Sequence, residues 1–145
     1  MTIYTMGFTQ KSAETFFELI KKNNIEILVD VRLNNQSQLA GFTKGRDLEY
    51  FLKQVAGCAY SHNITYAPTK QLLDDYKKGK ISWAGYEEVF GKLIKSRDMA
   101  GQFIKAYGKY ERVLLLCSEP TPEMCHRRLV AEAVAAAGGF RVVHL

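Results

Sequence analysis

Twelve residues carry most of the chemistry this chain can offer: Cys117-Ser118-Glu119-Pro120-Thr121-Pro122-Glu123-Met124-Cys125-His126-Arg127-Arg128. A thiol near the start of a helix, beside a guanidinium, is biased toward the thiolate, which makes Cys125 a candidate nucleophile or redox thiol. His126 is a candidate general base, with Asp30 or Glu119 to orient it. Arg127 can grip a phosphate or carboxylate in bidentate fashion, and so can Arg32 from a second stretch, Ile27-Leu28-Val29-Asp30-Val31-Arg32. The candidate catalytic set is therefore Cys125, His126, Glu119 and Asp30. The candidate ligand-binding set is Arg32, Arg127 and Cys117, with Gly7, Thr9 and Ser37 from two loops.

Each of these residues has a plainer use. Cys125 shares an inward arc with Leu129, Val130, Ala133 and Val134, and free cysteine is commonly a small buried hydrophobe. Cys117 closes an apolar run and can simply pack there. Arg32 and Arg127 can be structural ion-pair partners of Asp30 and Glu119. His126 shares a face with Val130 and Val134, as a core histidine would. Arg128 pairs naturally with Glu132, four residues on.

Two classes are disfavoured. Glu123 stands where the arginine of a Cys-x5-Arg phosphatase loop would be. A metal site is not expected, because adjacent residues of a helix diverge by about 100° and no Cys-x2-Cys pair is present. A redox pair Cys117–Cys125 is conceivable, though spacing alone cannot place their Cα atoms within the roughly 7 Å that a disulfide needs.

The elements that would position these groups read in order. Ile3 to Met6 is a strand broken at Gly7, and Gly7-Phe8-Thr9 turns into a helix capped by Ser12, with Ala13, Phe16, Phe17 and Ile20 inward. Ile27 to Arg32 is a second buried strand, completing a right-handed βαβ unit. A polar loop, Leu33 to Gly45, follows and contains Ser37. A helix runs from Asp47 to Val55 and stops at Gly57. Ile64 to Ala67 reads as a strand ending at Pro68, and Leu72 to Tyr76 as a short helix. Ser82 and Asp98 cap two more helices. Val113-Leu114-Leu115-Leu116 is a run suited to a central parallel strand. Thr121 and Pro122 suit the cap and first position of a helix ended by Gly138-Gly139. Arg141 to Leu145 closes the chain as a strand. This order predicts a single three-layer α/β/α domain over residues 1–145, with a mostly parallel central sheet of about five strands. Ligands of such sheets sit beyond the strand C-termini.

The chain has 145 residues, 47% of them hydrophobic and 24% charged, with a net charge of +5. Three cysteines are too few for a disulfide scaffold and point to a reducing compartment. No signal-peptide pattern opens the sequence and no apolar run approaches a membrane span, so cytoplasmic residence without membrane association is expected. The positive balance suits an anionic partner.

Several stretches together resemble the bacterial and archaeal proteins grouped as domain of unknown function 488. They are Ile3 to Thr9, Leu28 to Arg32, Ser37, Tyr66 to Pro68, Lys80 to Trp83, Leu116 to Glu119, Cys125-His126-Arg127 and Val143 to Leu145. The pairing of Asp-Val-Arg with Cys-x-Glu-x5-Cys-His-Arg is the specific part. The family pattern usually has a histidine where this chain has Phe8, and a proline where it has Asn35. The resemblance implies an α/β fold and a shared site, and it brings no assigned activity.

The sequence thus supports an enzyme-like pocket at the C-terminal edge of the sheet, without a cofactor, binding a small anionic, phosphate-bearing or nucleotide-like ligand. The alternative is a nucleic-acid-binding accessory module, with Lys77, Lys78 and Lys80 interleaved with Trp83 and Tyr86.

Overall fold

In the structure, a computed structural model describing residues 1–36 and 40–145, the chain forms five strands and six α-helices. The strands are β1 (Thr2–Gly7), β2 (Ile27–Asp30), β3 (Ala59–His62), β4 (Arg112–Cys117) and β5 (Arg141–His144). The helices are α1 (Ala13–Lys22), α2 (Gly45–Phe51), α3 (Lys70–Lys77), α4 (Trp83–Ser96), α5 (Met99–Tyr107) and α6 (His126–Gly138). All the strands are parallel, in the order β3-β2-β4-β1-β5. The α/β/α architecture expected from the sequence is present, and the Ile3, Ile27 and Val113 strands lie in one sheet.

Alternation along the strands builds the two halves of the core. Val29, Val31, Val113 and Leu115 point to one face, where Phe90, Phe103 and Val130 of α4, α5 and α6 cover them. Leu28, Leu114 and Leu116 point to the other, where Phe16 and Ile20 of α1 and Leu48 of α2 meet them. The three central strands are buried on both faces, which is why they read as unbroken apolar runs.

Local signals set the helix ends. Ser12, Ser82 and Asp98 accept hydrogen bonds from the backbone N–H groups of Thr15, Gly85 and Gly101, as their cap positions require. Thr69 does the same for α3, which begins two residues before the expected Leu72. Leu52–Ala56 continues α2 as a π-helical turn that ends at Gly57, whose positive φ of 59° favours glycine.

Two expectations are corrected. The strand placed at Ile64 to Ala67 is a 3-10 turn over Ile64–Tyr66, and β3 lies earlier, at Ala59–His62. As an edge strand half open to solvent, its Ala-Tyr-Ser-His sequence lacks the apolar signature of the central strands. The last helix begins at His126, not at Pro122. Cys125 is its N-cap, in extended conformation (φ −138°, ψ 136°), and Cys125 N–H bonds the Pro122 carbonyl at 3.3 Å.

The topology defines one crevice. β1 and β4 are neighbours, yet β1 continues through α1 on one face and β4 through α6 on the other. Their connections part at the strand C-termini, the switch point at which α/β sheets bind ligands. Gly7 pairs with Cys117 at this edge. Beyond it, Phe8 N–H bonds the Cys117 carbonyl and both Thr9 N–H and the Thr9 hydroxyl bond the Ser118 carbonyl. A Cβ at Gly7 would lie 1.5 Å from the Glu119 carbonyl oxygen. Gly7→Ala is therefore expected to lower folding stability by about 3 kcal/mol, because the colliding atom is backbone and cannot rotate away. Urea unfolding of the two proteins measures the difference.

Candidate functional site

The site begins with a buried ion pair. Asp30, at the end of β2, has no solvent exposure. Its carboxylate accepts from Arg32 Nε at 2.8 Å, Arg32 Nη2 at 2.7 Å, the Arg32 backbone N–H at 3.2 Å and the Tyr60 hydroxyl at 2.7 Å. Arg32 Nη2 also donates to the Thr43 carbonyl, and the guanidinium stands over the Phe8 ring, 5.2 Å from its centre. Burial works against the Arg32 charge, but the hydrogen bonds and charge of Asp30 outweigh it and the pKa is raised. Both Asp30 carboxylate oxygens are thereby engaged, and they anchor Arg32. Arg32 Nη1 is buried without a partner.

Arg127, in the first turn of α6, is completely buried. Its Nη1 donates to the Glu119 carbonyl at 2.7 Å, while Nε and Nη2 have no partner. Among the described residues no carboxylate comes within ion-pair distance of it. A buried charge is costly unless something compensates it. Lys11 adds a further cation nearby: burial, then the Arg127 charge, lowers its pKa.

The two thiols and the imidazole lie near Arg127, whose charge acts on both thiols. The ligand-type atoms of Cys117, Cys125 and His126 all fall within 4.8 Å of one another. His126 Nε2 lies 2.8 Å from the Val31 carbonyl. A carbonyl only accepts, so Nε2 carries a proton and donates. Neither Asp30 nor Glu119 orients this ring. The Cys117 sulfur sits 3.6 Å from Nδ1 and 4.0 Å from Nε2. A sulfur on the Nδ1 lone-pair axis would be much farther from Nε2 than from Nδ1, so the imidazole does not present a ligand lone pair to the space before Cys117. The divergence of Cys125 and His126 expected from helical geometry does not apply, since Cys125 is extended. The cluster nevertheless fits thiol chemistry better than metal ligation.

The two thiols shift each other in opposite directions. The neighbouring Cys117 is the largest influence holding the Cys125 thiol well below the ordinary thiol range; burial opposes this, and His126 and Arg127 assist it. Cys125, with burial, raises Cys117 in turn. The N-cap position of Cys125 on α6 acts in the same direction as Cys117, since a helix N-terminus favours a thiolate. Cys58 lies in the other half of the core, and burial pushes it up to about 12.

The structure thus brings Cys117, Cys125, His126, Arg127 and the Gly7–Thr9 turn to one edge, with Arg32 and Asp30 adjoining. Glu119 contributes its carbonyl, not its carboxylate, which stands on an exposed residue. Ser37 lies outside the described residues. Arg128 pairs with Glu132 at 3.1 Å and Glu87 at 3.5 Å at the surface. Sequence reasoning missed Tyr60 and Thr43: Tyr60 belongs to the misplaced β3, and Thr43 acts through its carbonyl, which leaves no trace in residue type. Cys117, Cys125, His126 and Arg127 are all buried at this edge. Open depressions of the surface lie beside α2, around Gln36, Lys44, Arg46 and Asp47 and around Tyr50, Lys53 and Tyr60.

Residues 12–134 match the family described as Domain of unknown function DUF488, well over half the chain, and the protein belongs to that family. No curated protein and no solved structure matches it.

The Asp30 network yields a graded expectation. Asp30→Asn leaves Arg32 as an uncompensated buried cation and should cost about 4 kcal/mol. Tyr60→Phe removes one hydrogen bond to a charged group and should cost about 2 kcal/mol. Chemical denaturation of both variants checks the order; equal costs would mean that the charge of Asp30 is immaterial.

Proposed function

We propose, for this member of a family defined without an activity, a thiol-centred, enzyme-like site that binds a small oxyanion or a phosphate group at the β1–β4 switch point. One observation carries it: Arg127 is fully buried, has two unpartnered nitrogens and has no carboxylate beside it among the described residues. A bidentate oxyanion would complete its hydrogen bonds and oppose its charge. Arg32 Nη1 supplies another donor. The backbone N–H groups at the start of α6 add their field.

In this reading Cys125 is the nucleophile, Cys117 its proton-sharing partner and His126 the acid–base group held by Val31. Asp30 is a positioning residue that acts through Arg32. Access requires the Ser118–Met124 loop to move, because Cys117, Cys125 and His126 are all buried. Three free thiols suit a reducing, cytoplasmic setting.

The nucleic-acid reading gains little. Trp83 stacks on Tyr86, with ring centres 4.9 Å apart, and Tyr76 packs on both, so these rings serve one another instead of standing free for bases.

Inorganic phosphate, titrated at constant ionic strength and followed by amide NMR, tests the proposal. Saturable shifts are expected within 7–11 and 118–127, and Arg127→Lys should weaken binding about tenfold, the cost of one hydrogen bond to a charged group. Shifts that never saturate, or that chloride reproduces, would sink it. Tight, steeply salt-dependent oligonucleotide binding centred on Lys77, Lys78 and Lys80 would favour the other partner.

A further inference from the structure

We infer that Cys125 and Cys117 form a hydroperoxide-reactive dithiol, in which Cys125 is oxidised first and Cys117 closes a disulfide onto it. The inference deepens the proposed function, and rests on it in taking the Arg32 and Arg127 donors as the groups that meet a developing oxyanion.

Four features combine. The two sulfurs lie within 4.8 Å of each other, in contact with His126. Cys125 caps a helix of thirteen residues, whose N-terminal field favours a thiolate. Unpartnered nitrogens of the fully buried Arg127 belong to a charge that both thiols feel. The fourth is the tether. Ser118 to Met124 joins the two cysteines, and Glu119, Thr121, Glu123 and Met124 in it are exposed. Such a loop can shift while β4 and α6 hold, letting the sulfurs close to the bond length of about 2 Å.

The groups around Cys125 set its state. Cys117 faces it from β4, and His126 and Arg127 flank it on α6. Tyr86 of α4 has a raised pKa, from burial first and then from the nearby Cys117 and Cys125 thiols. Cys125 is 3% exposed, so hydrogen peroxide, the smallest hydroperoxide, has the readiest access to it.

The chemistry balances without another component. The Cys125 thiolate attacks the outer oxygen of ROOH; an S–O bond forms, the O–O bond breaks and the electron pair leaves with RO⁻. Arg127 and Arg32 N–H groups meet that oxygen, and a proton converts it to ROH. The Cys117 sulfur then attacks the Cys125 sulfenic sulfur. The S–S bond forms, and the hydroxyl leaves as water with the Cys117 proton. Two thiols and ROOH become a disulfide, ROH and water. Two equivalents of a small thiol restore the dithiol.

The full reduced chain is treated with hydrogen peroxide, quenched with an alkylating agent and mapped by mass spectrometry. The expected product has lost two hydrogens and links Cys117 to Cys125, with Cys58 still a thiol. Its formation should be about 100-fold faster than oxidation of the unfolded chain, the scale of a preorganised oxyanion donor. Cys117→Ser should accumulate a sulfenic acid at Cys125 that dimedone traps, Cys125→Ser should stay reduced, and Cys58→Ser should match the parent. Random oxidation of all three thiols, or no rate advantage over the unfolded chain, overturns the inference, and the parent protein alone decides between these outcomes should a variant misfold. Saturable phosphate binding without fast oxidation removes the dithiol and leaves the anion site. Fast oxidation without phosphate binding does the reverse.

Discussion

Burying two guanidiniums at one sheet edge is the constraint around which this domain is arranged. Arg32 meets it with a carboxylate: Asp30 accepts three of its N–H groups, and Tyr60 braces that carboxylate from the neighbouring strand. Arg127 has no such partner among the described residues and holds only the Glu119 carbonyl. That carbonyl in turn sits where any Cβ at position 7 would fall, so β1 must end in glycine for the crevice to close. In the proposed reading, the thiol pair, a bound anion, or each in turn would supply the counter-charge of Arg127.

This economy of charge explains why the thiols belong to the site and Cys58 does not. All three are buried, and burial alone would make each inert. Cys58 shows that outcome, with its pKa pushed to about 12. Cys125 departs from it because the neighbouring Cys117, a helix N-terminus, an imidazole and a guanidinium act on one sulfur. The same convergence would stabilise an oxyanion, so in the proposed reading ligand binding and thiol activation would draw on one field.

Much of this was legible in the sequence. The central strands announced themselves as apolar runs, because both their faces are covered, and Ser12, Ser82 and Asp98 marked their helices as caps. Asp30, Arg32, Cys117, Cys125, His126 and Arg127 stood out as polar or reactive residues beside such runs. What escaped depended on backbone atoms or on sheet edges. β3 has a half-exposed face and no apolar run, so Tyr60 went unnoticed. The Val31, Thr43 and Glu119 carbonyls orient His126, Arg32 and Arg127, and a carbonyl is common to every residue. The start of α6 was misplaced because Thr121-Pro122 satisfies the rules for a helix start, while the chain makes one more turn before Cys125 caps it. That single shift turned Cys125 and His126 from diverging neighbours into members of one cluster.

The central claim is that Cys125 is ionised in the folded protein as the buried counterpart of Arg127. Ultraviolet thiolate absorbance, followed as pH falls from 8, measures this without needing reagent access. One thiolate is predicted at neutral pH. It should persist well below the ordinary thiol value of 9.0, vanish in Cys125→Ser and survive in Cys58→Ser. A folded protein with no thiolate until the pH approaches 9.0 would contradict the account.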